Sequence, residues 1–73
     1  MTDDNLIKLV SKSLKAKVNL NSDSNNTPEW DSIGHLSIIS ALDKLSKGKT
    51  EKIDLSECYS VKKLSTKLKK IKI

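Results

Sequence analysis

Residues 29–36 read Glu-Trp-Asp-Ser-Ile-Gly-His-Leu and place the start of a helix in the middle of the chain. Asp31 is a good N-cap residue, because its side-chain oxygen can accept a hydrogen bond from a backbone N–H of the first helical turn. The residues that follow form a wide apolar face at helical spacing: Ile33, Leu36, Ile39 and Leu42, flanked by Ile38, Ala41 and Leu45. This pattern predicts a helix from Asp31 to about Lys47, with Gly48 as its stop.

The segment before this helix, residues 16 to 31, is predicted to be a long loop. Its stretch 19–28 is rich in Asn, Ser and Asp, whose side chains bond their own backbone and compete with helix. A loop of this length is typically either functional or disordered. Before it, residues 3 to 15 are predicted to form a first helix, because Asp3 and Asp4 suit the positive end of the helix dipole. The apolar stripe of this helix consists of Leu6, Ile7, Val10 and Leu14.

The segment after the central helix is predicted to end in a third longer helix. Ser56 is the expected cap of a short helical turn through Tyr59, and Ser60 is the expected cap of the last helix. That helix carries Val61, Leu64, Leu68 and Ile71, while Ile53 and Leu55 are expected to plug the core from the preceding loop. The chain is therefore predicted to be all-α. It forms one domain over residues 1–73, a small four-helix bundle with three longer helices, one short helix and a long first loop.

Length and composition exclude several classes of protein. A chain of 73 residues buries only about 60% of its unfolded surface, so its function is expected on the surface and not in a deep active site. Cys58 is the only cysteine, which excludes an intramolecular disulfide and fits a reducing cytoplasm, and its side chain is expected to pack in the interior. No apolar run is long enough to span a bilayer, and the start lacks the order of a signal peptide. We expect a cytoplasmic monomer with no stable membrane insertion.

Ser32 is the residue that points to chemistry. It lies on the first helical turn directly after the capping acid, where its hydroxyl is expected to point outward. A serine nucleophile needs an adjacent base, and none is within obvious reach, so any modification of Ser32 must be catalysed by another protein. The chain offers no convergent carboxylates, no His-based triad and, with only Gly34 and Gly48, no phosphate-cradling loop, so it is not expected to be an enzyme.

The run Asp31-Ser32-Ile33 followed by Leu36 resembles the Asp-Ser-Leu motif of acyl carrier proteins. The order of elements also resembles that family over nearly all 73 residues: a helix, a long loop, a helix opened by Asp-Ser, an irregular stretch and a final helix. The run from Trp30 to Leu36 resembles stand-alone carriers of specialised pathways more than it resembles the housekeeping fatty-acid carrier. In this family the serine bears 4'-phosphopantetheine, so the resemblance implies attachment of that group to Ser32, with Asp31 in support.

The resemblance also implies partners. A phosphopantetheinyl transferase would move the group from coenzyme A to Ser32, using its own metal and base. The terminal thiol would then hold an acyl or aminoacyl cargo as a thioester, received from a loading enzyme and presented to downstream acyltransferases or synthases of fatty acid or secondary metabolite biosynthesis. In the family the second helix is the main docking surface, which implies partner contacts at Ile33, His35, Leu36 and Ser37.

The charge of this chain departs from the family pattern. Acyl carrier proteins are typically strongly acidic, and an acid commonly follows the modified serine, whereas this chain reads His35-Leu36-Ser37 there and carries a net charge of +5. The basic excess lies in residues 47 to 73. We therefore expect docking through apolar contacts around Ile33 and Leu36, or a dedicated partner with different electrostatics.

A hypothesis of a different class is a small basic protein whose C-terminal helix binds anionic membrane or nucleic acid. Lysines at 62, 63, 67, 69, 70 and 72 surround the apolar stripe of that helix, although a lysine face is usually only solvated. Lysine without arginine argues against a nucleic-acid partner.

Under this second hypothesis, Ser32 is an ordinary residue of the first helical turn. Trp30 either packs ahead of the N-cap or contacts a partner or the phosphopantetheine arm. His35 is expected to be a solvated surface residue or a partner contact.

Overall fold

The computed structural model describes residues 2–47 and 55–70, which form a small all-helical bundle. It contains α1 (Asp3–Leu14), α2 (Ser32–Ser46) and α3 (Val61–Lys70). Within the described residues there are no strands, only an isolated antiparallel bridge between Asp23 and Ser60. The all-α prediction and the three longer helices are thereby confirmed.

Both ends of α1 are closed by local hydrogen bonds. The hydroxyl of Thr2 accepts a hydrogen bond from the Asn5 N–H at 3.2 Å, and Asp3 and Asp4 lie in the first turn, where the helix dipole favours negative charge. At the other end Lys15 takes up the left-handed conformation, with φ 55°, and its N–H donates to the Ser11 carbonyl. Such a left-handed residue stops a helix and pairs its last carbonyls.

The central helix α2 starts where the sequence predicts. The Asp31 carboxylate accepts a hydrogen bond from the Gly34 N–H at 2.8 Å, as an N-cap residue does. The helix ends at Lys47, which adopts the left-handed conformation with φ 56°. Gly48, the predicted stop, lies outside the described residues.

The start of α3 is held by the long loop. The Ser60 hydroxyl accepts the Lys63 N–H at 3.1 Å, which confirms Ser60 as the cap. The Val61 N–H donates to the Ser22 carbonyl at 3.1 Å, and the Tyr59 carbonyl accepts the Ser24 N–H at 2.9 Å. The loop between α1 and α2 therefore pairs with the backbone that opens α3.

The fourth, short helix predicted for residues 56–59 is not formed. This segment instead makes a single turn, in which the Cys58 N–H donates to the Leu55 carbonyl at 3.1 Å, and it does not continue as a helix. Leu55 and Cys58 are both buried, as predicted, so the turn is held by packing of two side chains into the core. Ile53 and Ile71, also predicted to pack inside, lie outside the described residues.

Helix α1 packs against both α2 and α3. A side-chain hydrogen bond from the Ser65 hydroxyl to the Asp3 carboxylate, at 2.6 Å, adds a polar link between α3 and α1. The buried apolar side chains come from all three helices and the segments that flank them: Leu6, Val10, Leu14, Trp30, Ile38, Leu42, Leu55, Cys58, Val61, Leu64 and Leu68. Burial of one such large aliphatic side chain stabilises a fold by about 1.5–3 kcal/mol.

The apolar face predicted for α2 is only partly the buried face. Ile38 and Leu42 are fully buried, whereas Ile33, Leu36 and Leu45 are exposed. The buried side of α2 begins one residue after Ile33, at Gly34 and His35. The predicted apolar face therefore includes residues that lie outside the core. When apolar residues cover so much of a helix surface, the sequence does not reveal which of them are buried.

Gly34 is required because the chain passes very close to the first turn of α2. A Cβ atom at this position would lie 2.4 Å from the Glu29 carbonyl oxygen and 2.7 Å from a methyl carbon of Leu14. Real Cβ atoms do not approach a backbone oxygen so closely. The backbone at Glu29 can therefore lie this close to the first turn of α2 only because position 34 has no side chain.

We expect Gly34→Ala to lower the free energy of unfolding by about 1–3 kcal/mol, as other overpacking substitutions do. The steric cost exceeds the gain of about 1 kcal/mol that alanine brings in helix propensity. Urea unfolding followed by far-UV circular dichroism measures the change. Ser40→Ala, at an exposed position of the same helix, is the control and should leave stability unchanged or slightly raised. A Gly34→Ala protein as stable as the parent would contradict the close approach.

Candidate functional site

Ser32 is the first residue of α2 and its side chain is exposed. The capping carboxylate of Asp31 is occupied by the Gly34 N–H. In the part of the chain that the structure describes, the hydroxyl of Ser32 makes no hydrogen bond. This hydroxyl is therefore presented to solvent at a fixed point of a capped helix.

The position of Ser32 suits an anionic substituent. It lies at the N-terminal end of α2, where the helix dipole and the backbone N–H groups of the first turn favour negative charge. The Asp31 carboxylate already uses the Gly34 N–H and opposes this dipole effect, but attachment of a phosphodiester to the Ser32 oxygen would disturb no hydrogen bond of the hydroxyl. The residues present fit a phosphopantetheine group in this respect.

His35, by contrast, is a core residue with 3% of its surface exposed. The Trp30 indole N–H donates to its Nδ1 at 3.0 Å, and its Nε2 lies 2.9 Å from the Leu55 carbonyl oxygen. Because an indole N–H can only donate, Nδ1 must accept and Nε2 must carry the proton that the Leu55 carbonyl accepts. The expectation that His35 is a surface residue or a partner contact is wrong.

A third ring packs on this hydrogen-bond chain. Tyr59 stacks on the His35 ring with centroids 4.2 Å apart, whereas Trp30 meets His35 edge to edge through the hydrogen bond, with centroids 6.3 Å apart and ring planes 24° from parallel. Trp30 itself is 2% exposed, which confirms that it packs in the interior. His35 thus joins α2 to the segment before it, through Trp30, and to the segment that precedes α3, through Leu55 and Tyr59.

The engagement of His35 has a chemical consequence for Ser32. His35 follows the serine by three residues, a spacing at which side chains on a helix can meet. Its Nδ1 accepts from Trp30 and its Nε2 donates to Leu55, so neither nitrogen is left to take a proton from Ser32. In this arrangement the serine has no histidine base and is not activated as a nucleophile.

The other residues predicted to contact partners are exposed on α2. Ile33 and Leu36 have 76% and 65% of their surfaces exposed, unusually high values for large aliphatic side chains. Ser37 is exposed as well, and its hydroxyl donates to the Ile33 carbonyl at 3.2 Å. Ser32 thus shares the exposed part of α2 with Ile33, Leu36 and Ser37, whereas His35 is buried.

Sequence reasoning missed the role of His35, although a signal for it was present. His35, Ile38 and Leu42 are spaced by three and four residues and so share one helix face. A histidine on the same helix face as two core residues is expected to be buried if each of its two ring nitrogens has a hydrogen-bond partner. The partners are Trp30, which is close in sequence, and Leu55, which is 20 residues away.

Within residues 2–47 and 55–70, no group of three or more His, Cys, Asp or Glu side chains could hold a metal ion. None of the helices in the same ranges combines the length and apolar character needed to cross a bilayer.

Comparison with known proteins adds no relative to this picture: no protein-family model, curated protein sequence or solved structure matches the chain.

We expect His35→Phe to lower the free energy of unfolding, because it leaves the Trp30 N–H and the Leu55 carbonyl buried without their partner. Each such group costs about 1–3 kcal/mol. Trp30→Phe should be destabilising as well. Because both substitutions break the same hydrogen bond, the double variant should be less destabilised than the sum by about 0.5–3 kcal/mol.

Urea unfolding of the parent, the two single variants and the double variant provides this cycle. Ser37→Ala, an exposed change on the same helix, is the control and should shift stability by no more than about 0.5 kcal/mol. A negligible loss in His35→Phe, or strict additivity, would mean that the two side chains do not interact as described.

Proposed function

We propose that this protein is an acyl carrier protein whose Ser32 bears 4'-phosphopantetheine. The observation that carries the proposal is the setting of Ser32: an exposed hydroxyl on the first turn of a helix, directly after a capping aspartate, with both nitrogens of the nearby His35 engaged elsewhere. Such a residue is suited to be a substrate of another enzyme and is poorly suited to catalysis. The Asp-Ser-Ile sequence and the order of the helices support the same assignment.

In the proposed modification, Ser32 is the acceptor in a reaction catalysed by a phosphopantetheinyl transferase. The Ser32 oxygen forms a bond to the phosphorus that carries pantetheine in coenzyme A. The pyrophosphate bond of coenzyme A breaks, adenosine 3',5'-bisphosphate leaves, and a base of the transferase accepts the serine proton. The attached group supplies a terminal thiol, which holds an acyl or aminoacyl cargo as a thioester.

The residues around Ser32 support this role in two ways. The Asp31 carboxylate fixes the first turn of α2 through the Gly34 N–H, so the serine oxygen is presented in one place. Ile33 and Leu36 offer exposed apolar surface beside it, which is a common feature of surfaces that bind other proteins. We propose that the transferase, the loading enzyme and the downstream enzymes contact Ile33, Leu36 and Ser37.

The alternative function, binding of an anionic membrane through the last helix, has less support. The apolar side of α3 is formed by Val61, Leu64 and Leu68, which are 0%, 0% and 3% exposed. A surface-bound amphipathic helix must place its apolar side in the lipid. Here that side is already used by the core, so only the lysine side of α3 is available.

We expect the purified protein to gain one phosphopantetheine when it is incubated with coenzyme A and a broad-specificity phosphopantetheinyl transferase, as measured by intact mass. Ser32→Ala should gain none, because the acceptor oxygen is removed. Ser40→Ala, which removes an exposed hydroxyl about two turns further along α2 and outside the proposed contact residues, should be modified like the parent. No mass gain on a folded parent with several transferases would overturn the proposal.

We expect Leu36→Ser to lower the kcat/KM of the transferase for this protein by about tenfold, the loss that corresponds to about 1.4 kcal/mol at an interface. The fold should be unaffected, because the Leu36 side chain is mostly in solvent. Leu20→Ser, which changes an exposed leucine of the long loop, is the matched control and should be modified at the parent rate. Equal rates for the three proteins would exclude Leu36 from the contact.

A further inference from the structure

An open groove of about 950 Å³ runs between α1 and α2. Its apolar surface is formed by Leu9 of α1 together with Ala41 and Leu45 of α2. Lys8, Lys12 and Lys44 also line it, and none of the lining residues in the described part of the chain is acidic. We call this feature the lysine-lined groove. It is separate from the side of α2 on which His35, Ile38 and Leu42 enter the core.

The lysine-lined groove continues into the exposed apolar surface of α2. A second, shallower depression is lined by Ile33 and Leu36 and shares Ala41 and Lys44 with the groove. From Ile33 to Leu45 the surface follows the helix for about 18 Å, at 1.5 Å per residue. Leu45 is 56% exposed, so large aliphatic side chains lie in solvent at both ends of this surface.

The open, elongated shape of this surface indicates which kind of ligand it can bind. Small-molecule sites usually enclose most of their ligand, whereas this groove is open and elongated. The groove between α1 and α2 and the depression that continues from it together follow α2 for about 18 Å, a length that fits about three turns of a third helix. The apolar stripe of a partner helix binds grooves of this kind through residues spaced by three and four.

The charge of the surface selects the chemistry of that helix. Among the described residues that line the groove, three are lysines and none is acidic, which places positive charge beside the apolar side chains. A helix whose apolar stripe is flanked by Asp or Glu would complement both features, because opposite charges across an interface guide association and exclude wrong partners. We infer that the lysine-lined groove is a docking site for a partner protein that presents such an acidic amphipathic helix.

Two other occupants fit the surface less well. A second copy of this chain in a two-fold dimer would bring the lysines of one groove against the same lysines of the other, which is repulsive. An anionic membrane would be attracted to the lysines, but a flat lipid surface does not fill a concave groove whose floor includes Ala41.

This inference does not depend on the modification of Ser32. The groove is formed by side chains of α1 and of the C-terminal half of α2, and Ser32 does not line it. A protein that fails to accept phosphopantetheine could still bind the acidic helix, and the reverse also holds. The two proposals are thus tested separately.

The test uses a displayed library of helical peptides about 14 residues long, in which an apolar stripe is fixed and the flanking positions vary freely. The parent protein is the target. The variant Lys8→Glu/Lys12→Glu/Lys44→Glu is used to remove peptides that bind elsewhere. All three lysine side chains are exposed, so the variant is expected to fold, which far-UV circular dichroism verifies.

We expect the selected peptides to be enriched in Asp and Glu at the flanking positions. A selected peptide should bind the triple variant at least about tenfold more weakly than the parent, and Leu45→Ser should also weaken binding, by fluorescence anisotropy. The matched control is Lys62→Glu/Lys69→Glu/Lys70→Glu, which reverses three exposed lysines of α3 and should bind within about twofold of the parent. Amide NMR shifts on addition of the peptide should fall on the residues of the groove.

The inference is overturned if no selected peptide distinguishes the parent from the groove variant, or if the selected flanks are neutral or basic. It is also overturned if the α3 control loses as much affinity as the groove variant, because the effect would then reflect net charge alone. Phosphatidylglycerol vesicles form a separate arm. Vesicle binding that is abolished in the groove variant, with no acidic peptide selected, would replace the partner helix with a membrane.

Discussion

The hydrogen-bond chain from the Trp30 indole through His35 to the Leu55 carbonyl connects three parts of the molecule that no helix–helix contact alone would hold. It ties the end of the long loop and the segment that leads into α3 to the first turns of α2. Both nitrogens of the buried imidazole are satisfied, which removes the cost of burying it. Tyr59 stacks on the same ring, so the turn at 55–59 is held by packing as well as by a hydrogen bond.

This arrangement also decides the surroundings of Ser32. Because His35 turns inward to its two partners, the serine is left with solvent and with exposed Ile33 and Leu36 as neighbours. The close passage of Glu29 over Gly34 fixes the chain immediately before the serine. Ser32 is in this way an exposed hydroxyl without a histidine base, and the proposed carrier role rests on this setting.

Two of the described surfaces carry lysines next to apolar residues, and they differ in how those apolar residues are used. In α3 the apolar residues Val61, Leu64 and Leu68 are buried in the core, and the lysines lie on the opposite, solvated side. In the groove between α1 and α2, lysines and accessible apolar side chains line the same surface. Only the second combination offers a partner both area and charge, although net charge by sequence position is most basic in the C-terminal third.

The sequence by itself determined where the helices begin, because Asp31 and Ser60 cap α2 and α3 through hydrogen bonds within three residues. It also determined the exposed place of Ser32, which follows from its position next to the cap. Only the tertiary structure decided which part of the apolar arc of α2 is buried, and that His35 belongs to it. The reason is that burial of an imidazole requires a donor and an acceptor in the right places, and its acceptor, Leu55, is 20 residues away and is positioned only when the chain folds.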